Sequence, residues 1–149
     1  MIVREYDPRD SGRLYEILCS SLDEYFRPEM LSYFHLQWPK GQLVACDFSG
    51  RPIGFISVSK MDTDHARIMM FAVDRDHRSF GVGSRLMAEL KRIAMMNGIR
   101  HISLEVRPSN LRAITFYGRH GFTATEIIKK YYNDGGDAVR MDFIGQLNI

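Results

Sequence analysis

The sequence predicts an α/β domain, a mixed sheet of about seven strands covered by helices on both faces. Three observations carry this. The chain has 149 residues, 45% of them hydrophobic and 26% charged, with two cysteines, which suits one domain spanning 1–149 with its own core. Hydrophobic periods of two and of about 3.6 alternate along it in the order strand, two helices, three strands, helix, strand, helix, two strands. Glycine and proline punctuate at short intervals, and no repeat, linker or low-complexity tract interrupts the order.

Each element has its own signal. Ile2 to Tyr6 alternates as a first strand, and Asp7-Pro8 turns the chain. Leu14, Ile17, Leu18 and Leu22 follow helical spacing. Pro28 can open a second helix carrying Met30, Leu31 and Phe34, which ends before Trp38-Pro39 because a residue preceding proline avoids helical geometry. Gln42 to Phe48 and Pro52 to Lys60 read as strands joined at Ser49-Gly50, and Arg67 to Val73 as another. From about Gly81 to Met96, Val82, Leu86, Leu90, Ile93 and Ala94 line one helical face, and Asn97-Gly98 supplies a left-handed cap. Ile102, Leu104 and Val106 alternate with His101, Ser103 and Glu105 until Pro108 ends the strand. Leu111, Ile114 and Tyr117 mark a helix closed by Gly121. Thr123 to Tyr132 and Ala138 to Ile144 flank Asn133-Asp-Gly-Gly136, a hairpin turn sequence.

Composition narrows the function. No apolar run reaches the ~18 residues of a membrane helix, and Met1 to Asp7 carries charges where a signal peptide has its apolar core. A net charge of +2 is too small to imply a nucleic-acid partner. Cys19 and Cys46 lie far apart and read as two buried thiols in a reducing cytoplasm. The five histidines show no metal-ligand spacing and read as surface or packing residues, and no metal is expected.

One segment points to an anion. Arg78-Ser79-Phe80-Gly81-Val82-Gly83 joins a strand to a helix N-terminus, with Arg75 and Arg85 beside it. Glycines admit a ligand to the backbone, and the first helical turn offers unpaired N–H groups and partial positive charge. A dinucleotide fingerprint needs a small residue where Leu86 stands, and the Gly-Lys-Ser/Thr of a P-loop is absent. By spacing alone, an ordinary glycine-rich turn remains an equal reading.

The Arg-x-x-Gly-x-Gly of that loop resembles the acetyl-CoA signature of the GNAT N-acetyltransferase superfamily. Leu104-Glu-Val-Arg-Pro-Ser-Asn110, Ala113, Phe116-Tyr117 and His120-Gly121-Phe122 are similar to the second half of that fold. Tyr131-Tyr132-Asn133-Asp134-Gly135, Asp137-Ala138 and Met141 resemble the protein N-terminal α-amine acetyltransferases, both the ribosomal-protein-alanine enzymes and the archaeal and eukaryotic catalytic subunits. Leu22 to Pro39 is similar to the substrate-side helix and loop of the latter.

The resemblance implies a GNAT fold with a splayed-strand cleft for acetyl-CoA, the strands being Arg67–Val73 and His101–Val106. It implies that Phe71, Ala72 and Val73 pair with pantetheine. The loop of Arg78, Ser79, Phe80, Gly81, Val82, Gly83 and Ser84 would hold the pyrophosphate. Asn110 would touch the pantetheine arm and Tyr117 would stand near the sulfur. It further implies protein N-termini as substrate, met by Glu24, Tyr25, Tyr131 and Tyr132, with ribosome proximity, and acetyl transfer by direct attack in a ternary complex without metal or covalent intermediate.

Within that chemistry Glu105 is the candidate base, directly or through water, and a salt bridge to Arg107 or another cation is the competing role. Tyr117 is the candidate acid for the leaving thiolate, since a phenol donates while remaining neutral at pH 7; packing is its competing role. Glu24 serves to bind the amine or as a second base, or sits as a solvated acid. Strand alternation would let only one of Tyr131 and Tyr132 face the cleft. Two other functions fit the same residues: acetylation of lysine or a small amine, and CoA or peptide binding without catalysis.

Overall fold

A computed structural model of the protein describes residues 1–21, 27 and 29–145. In chain order the elements are β1 (Ile2–Glu5), α1 (Ser11–Ser21), α2 (Glu29–Gln37), β2 (Gln42–Cys46), β3 (Pro52–Lys60), β4 (His65–Val73), α3 (Val82–Met96), β5 (His101–Val106), α4 (Leu111–Arg119), β6 (Thr123–Ile128) and β7 (Ala138–Ile144). Short 3₁₀ turns precede α1, follow α2 and follow β4. No helix among the described residues is long and apolar enough to cross a membrane.

The seven strands form one mixed sheet in the order β1-β2-β3-β4-β5-β7-β6. All neighbours run antiparallel except β4 and β5, which are parallel. One face packs against α3 and α4, where Leu86, Leu90, Ile102, Leu104 and Met141 are buried together. The other face is covered by α1 and α2 over β2–β4, around Leu14, Leu31, Phe34 and Phe55. Burying a leucine contributes roughly 1.5–3 kcal/mol, so these two layers hold the sheet. The expected mixed sheet with helices on both faces is the one found.

Two departures from regular pairing shape the middle of the sheet. β4 and β5 pair only at His65–His101, Ala66–Ile102 and Arg67–Ser103, and then diverge. Phe71, Ala72 and Val73 keep their bonds to β3 but have no ladder partner on the β5 side, so the splay opens between the two strands named from the sequence. The second departure is a bulge. Ser57 pairs with Met70 and Val58 with Ile68, which leaves Met69 as the extra residue of β4. A bulge exchanges the two faces of a strand. Ala66 and Ile68 lie in the α3/α4 core; beyond Met69, Met70 and Ala72 lie in the α1/α2 core, and Phe71 and Val73 turn to α3 and α4.

Several boundaries differ from expectation. β2 stops at Cys46, where the Asp47 carboxylate collects the amides of Ser49 and Arg51 into a turn. β6 stops at Ile128 rather than Tyr132, because Lys130 adopts a left-handed backbone (φ 54°) and its amide is held by Asp137. Tyr131 and Tyr132 therefore sit in the β6–β7 connection, and strand alternation does not govern them. Cys46 is buried but Cys19 is exposed on α1, and both thiols are free. Leu22, Glu24, Tyr25 and Pro28 fall outside the described residues.

Candidate active site

The loop expected to hold the pyrophosphate follows the open edge of β4. Gly81 is the residue before α3 and has φ +79°, a left-handed backbone that glycine adopts without strain. No side chain caps this helix. Its first bond runs from the Arg85 N–H to the Gly81 carbonyl, so the amides of Val82, Gly83 and Ser84 precede the helical ladder. Ser79 is also left-handed, at φ 72°, which curls the loop around those amides. Arg78 is half-buried, its Nε near the Val73 carbonyl at 3.4 Å, while Phe80 and Arg85 are exposed. Gly83 lies under Phe116: a Cβ there would stand 3.3 Å from that ring. This donor set suits a pyrophosphate lying across a helix N-terminus.

The α3/α4 side of the splay is aromatic. Phe71 meets Phe116 edge-on at 5.6 Å and Tyr117 at 6.2 Å between centroids, and Tyr117 meets Phe122 at 5.5 Å. Burial pushes the Tyr117 phenol well above its ordinary range, so it stays protonated. Its hydroxyl has no hydrogen-bond partner among the described residues. Asn110 caps α4, its Oδ1 accepting the Ala113 N–H at 3.2 Å.

Glu105 projects from β5 to the opposite face, away from Leu104 and Val106, and its side chain is 5% exposed. A carboxylate so buried needs partners. Arg67 Nε donates to Oε2 at 2.8 Å, and Arg140 Nη2 donates to Oε1 at 2.9 Å. Arg107, the cation named from the sequence, instead pairs with Asp134 and lies 4.1 Å from the centre of the Tyr132 ring. Arg67 also donates to the Tyr131 hydroxyl, which ties the β6–β7 connection to the splay. Burial and the Glu105 charge raise the Tyr131 phenol, so it too remains a donor. The structure thus brings Glu105 and Tyr131 together through Arg67, places Phe71 and Tyr117 across the splay on the other face, and sets Tyr132 against Arg107.

Sequence reasoning misses Arg67 and Arg140, although a signal is present. Each is a charge inside a largely apolar strand, on the parity opposite the core. What joins them is register: Arg140 is directly opposite Glu105 in the β5–β7 ladder, and Arg67 is the last residue of β4 paired with β5. His65 and His101, which the sequence reads as surface or packing residues, stack face to face at 4.0 Å. His65 is bonded to Ser103 at 2.8 Å, and His101 to Asp142. Burial, followed by the nearby His101 and Arg140 charges, holds the His65 imidazole below its usual range.

This architecture has relatives. The acetyltransferase (GNAT) family matches residues 12–122. An uncharacterized N-acetyltransferase of Methanocaldococcus jannaschii is 31% identical over 142 residues, covering 95% of this chain and 90% of that protein. The N-terminal acetyltransferase A complex catalytic subunit ard1 of Schizosaccharomyces pombe is 33% identical over 129 residues, covering 81% and 72% respectively. Among solved structures, Ard1 from Thermoplasma volcanium superposes with a TM-score of 0.93 at 36% identity over 98% of both chains. The splayed sheet, the uncapped helix after β4 and these likenesses converge on one conclusion: the chain belongs to the acetyltransferase (GNAT) family and is an acetyl-CoA-dependent N-acetyltransferase.

Proposed function

We propose that the acceptor is the α-amine of protein N-termini, acetylated by direct attack in a ternary complex. The observation that carries this reading is the Glu105–Arg67–Tyr131 chain of hydrogen bonds beside the splay. It places a carboxylate and a loop tyrosine together on the face opposite the phosphate loop, where an extended chain end can enter. The relatives named N-terminal acetyltransferases support it.

Acetyl-CoA supplies an activated acyl group as a thioester. The protein's part is to hold and to move protons. The amides of Val82, Gly83 and Ser84, with Arg78, bind the pyrophosphate, and the open edge of Phe71 to Val73 and the Asn110 amide receive the pantetheine arm. Glu105 has two lone-pair positions beyond those taken by Arg67 and Arg140, and one of these accepts the amine proton directly or through water. The Tyr117 hydroxyl gives a proton to the leaving sulfur. An α-amine with a pKa near 7.8 is roughly one tenth neutral at pH 7, whereas lysine is well under a thousandth, so a carboxylate already engaged by two guanidiniums suits the α-amine. Such acceptors are made in the cytoplasm, some of them emerging at the ribosome.

The test is a panel of short peptides with varied first residues, each carrying one internal lysine, with duplicates blocked at the α-amine. Tandem mass spectrometry locates the acetyl group. Acetyl on the α-amine, absent from the blocked duplicates, is the expected result. Acetyl on lysine in blocked and unblocked peptides alike would refute the reading.

A further inference from the structure

Where α4 meets the start of α3, an imidazole stands that the acetyl-transfer chemistry leaves unused. Ser84 is the third residue of α3, exposed, with an amide that precedes the helical ladder. Its hydroxyl meets His120 Nε2 at 3.1 Å. His120 ends α4 and is fixed from two sides. Its ring lies 4.6 Å from that of Phe116, which covers Gly83, and its carbonyl takes a hydrogen bond from the Lys91 ammonium.

The hydrogen of the Ser84–His120 contact can belong to either residue. A neutral ring protonated at Nδ1 accepts from the Ser84 hydroxyl, whose one hydrogen is then spent. A protonated ring donates from Nε2 to Ser84 Oγ and leaves that hydrogen free for an anion. The charged groups bearing on His120 are Lys91 of α3 and Arg119 of α4, both cations, and β7 reaches this turn with the Phe143 ring. Burial first, then those two cations, hold the imidazole below its ordinary range, so the ring is neutral at pH 7. A phosphate at the α3 amides reverses the balance, because it adds negative charge and an acceptor for the Ser84 hydrogen.

We propose that His120 is a positioning residue for CoA: binding of the pyrophosphate draws a proton from solvent onto its ring, Ser84 hands the hydrogen bond on to the phosphate, and cofactor affinity rises as pH falls. The inference rests on the placement of the pyrophosphate at the α3 amides given above. The sign follows from linkage. The complex holds the proton more tightly than the free protein, so affinity is weakest above the bound-state pKa and strengthens as pH falls toward the free value. His77, in the turn before the loop, is the rival imidazole, but its Nδ1 already meets Asp74 at 3.2 Å.

The experiment uses the full chain and dephospho-CoA, because the 3′-phosphate of CoA itself titrates near pH 6. Calorimetry in buffers of differing ionisation enthalpy counts the protons taken up on binding. The unaltered protein should take up a sizeable fraction of a proton, and Kd should tighten about three- to tenfold from about pH 7.5 to about pH 5.5. His120→Gln keeps a hydrogen-bonding side chain that does not titrate, and Ser84→Ala removes the hydroxyl. Both should abolish the uptake and flatten the pH profile, whereas His77→Gln should retain both. Uptake that survives Ser84→Ala, or that disappears in His77→Gln, would overturn the inference. If His120→Gln fails to fold, the His120 ring titration followed by NMR decides: a higher pKa with dephospho-CoA bound is expected, and an unchanged one overturns the proposal. The amide signals of Val82, Gly83 and Ser84 separate the two readings. Shifted amides without proton uptake would overturn the inference alone, and amides that do not move on binding would overturn the pyrophosphate placement with it.

Discussion

Glu105 is a carboxylate with two guanidinium partners, and its role depends on that geometry. Arg67 and Arg140 each hold one of its two oxygens, beside the place where β4 and β5 stop pairing. Replacing it by glutamine keeps the shape but removes the charge and turns one acceptor into a donor facing a cation. Glu105→Gln should therefore lower kcat by about 10²-fold or more, the range of a lost general base. The phosphate loop lies on the other side of the splay, so CoA affinity measured by calorimetry should stay near that of the parent protein. Near-parental kcat would remove Glu105 from proton transfer and leave it as the anchor of Arg67 and Arg140. Tyr117 differs in kind: it makes ring contacts with Phe71, Phe116 and Phe122, and only its hydroxyl is free to act.

At the scale of elements, β4 does two tasks because of one extra residue. Before Met69 its odd-numbered side chains, His65 and Arg67, share a face with Glu105; after it, Phe71 and Val73 face α3 and α4. One strand thus lends side chains to the Glu105 face at one end and to the α3/α4 face at the other. The loop that follows is anchored from α1: Arg13 donates to Asp74 at 2.8 Å and to the Pro52 carbonyl at 3.0 Å, and His77 reaches the same Asp74 oxygen at 3.2 Å. Within the loop, Gly81 is the position where a side chain is excluded by conformation, since an L-residue at φ +79° is strained. Gly81→Ala should cost about 1–2 kcal/mol of stability in urea unfolding and weaken CoA binding, because the α3 amides lose their alignment. Unchanged CoA affinity would show that the loop re-forms around a different turn.

For the whole molecule, acid should act in two stages. His65 has a folded pKa below its ordinary 6.5, so the unfolded chain binds the proton more readily. Its contribution is complete above pH 6.5 and is lost as pH falls from there through the folded value. The second stage belongs to carboxylates. Burial alone would raise Asp10, but hydrogen bonds from Arg4 and the Asp7 amide outweigh it and hold it below 3.8; Asp74 and Asp142 are held low in the same way by Arg13 and His77, and by Thr125 and His101. Their contribution is present above about pH 3.8 and disappears as pH falls through the lower folded values. Urea midpoints measured from pH 8 to pH 3 should decline first below about 6.5 and again below about 4. A flat midpoint between pH 7 and 5 would show that the His65–His101 stack accepts protons without cost.

Most elements were legible because period and punctuation are local properties. The α3 face, the Asn97-Gly98 stop, where Gly98 has φ +75°, and the alternation of Ile102, Leu104 and Val106 appear in the structure where the sequence placed them. The loop after β4 and the facing of Glu105 away from the α3/α4 core were legible for the same reason: a glycine pattern before a helix, and a charge on the polar parity of an apolar strand. Three things were not. The end of β6 depends on Asp137 capturing the Lys130 amide, and so Tyr131 and Tyr132 left the strand. The partners of Glu105 depend on which strands lie beside β5, a pairing between residues 35 and 38 positions away in sequence. The bulge at Met69 depends on how β3 registers with β4. The sequence by itself determined the elements, their order and the glycine-led helix start after β4, since backbone propensity and hydrophobic period act between near neighbours. Only the tertiary structure decided the Arg67–Glu105–Arg140 cluster and the exchange of faces along β4, because register is set by pairing between distant segments.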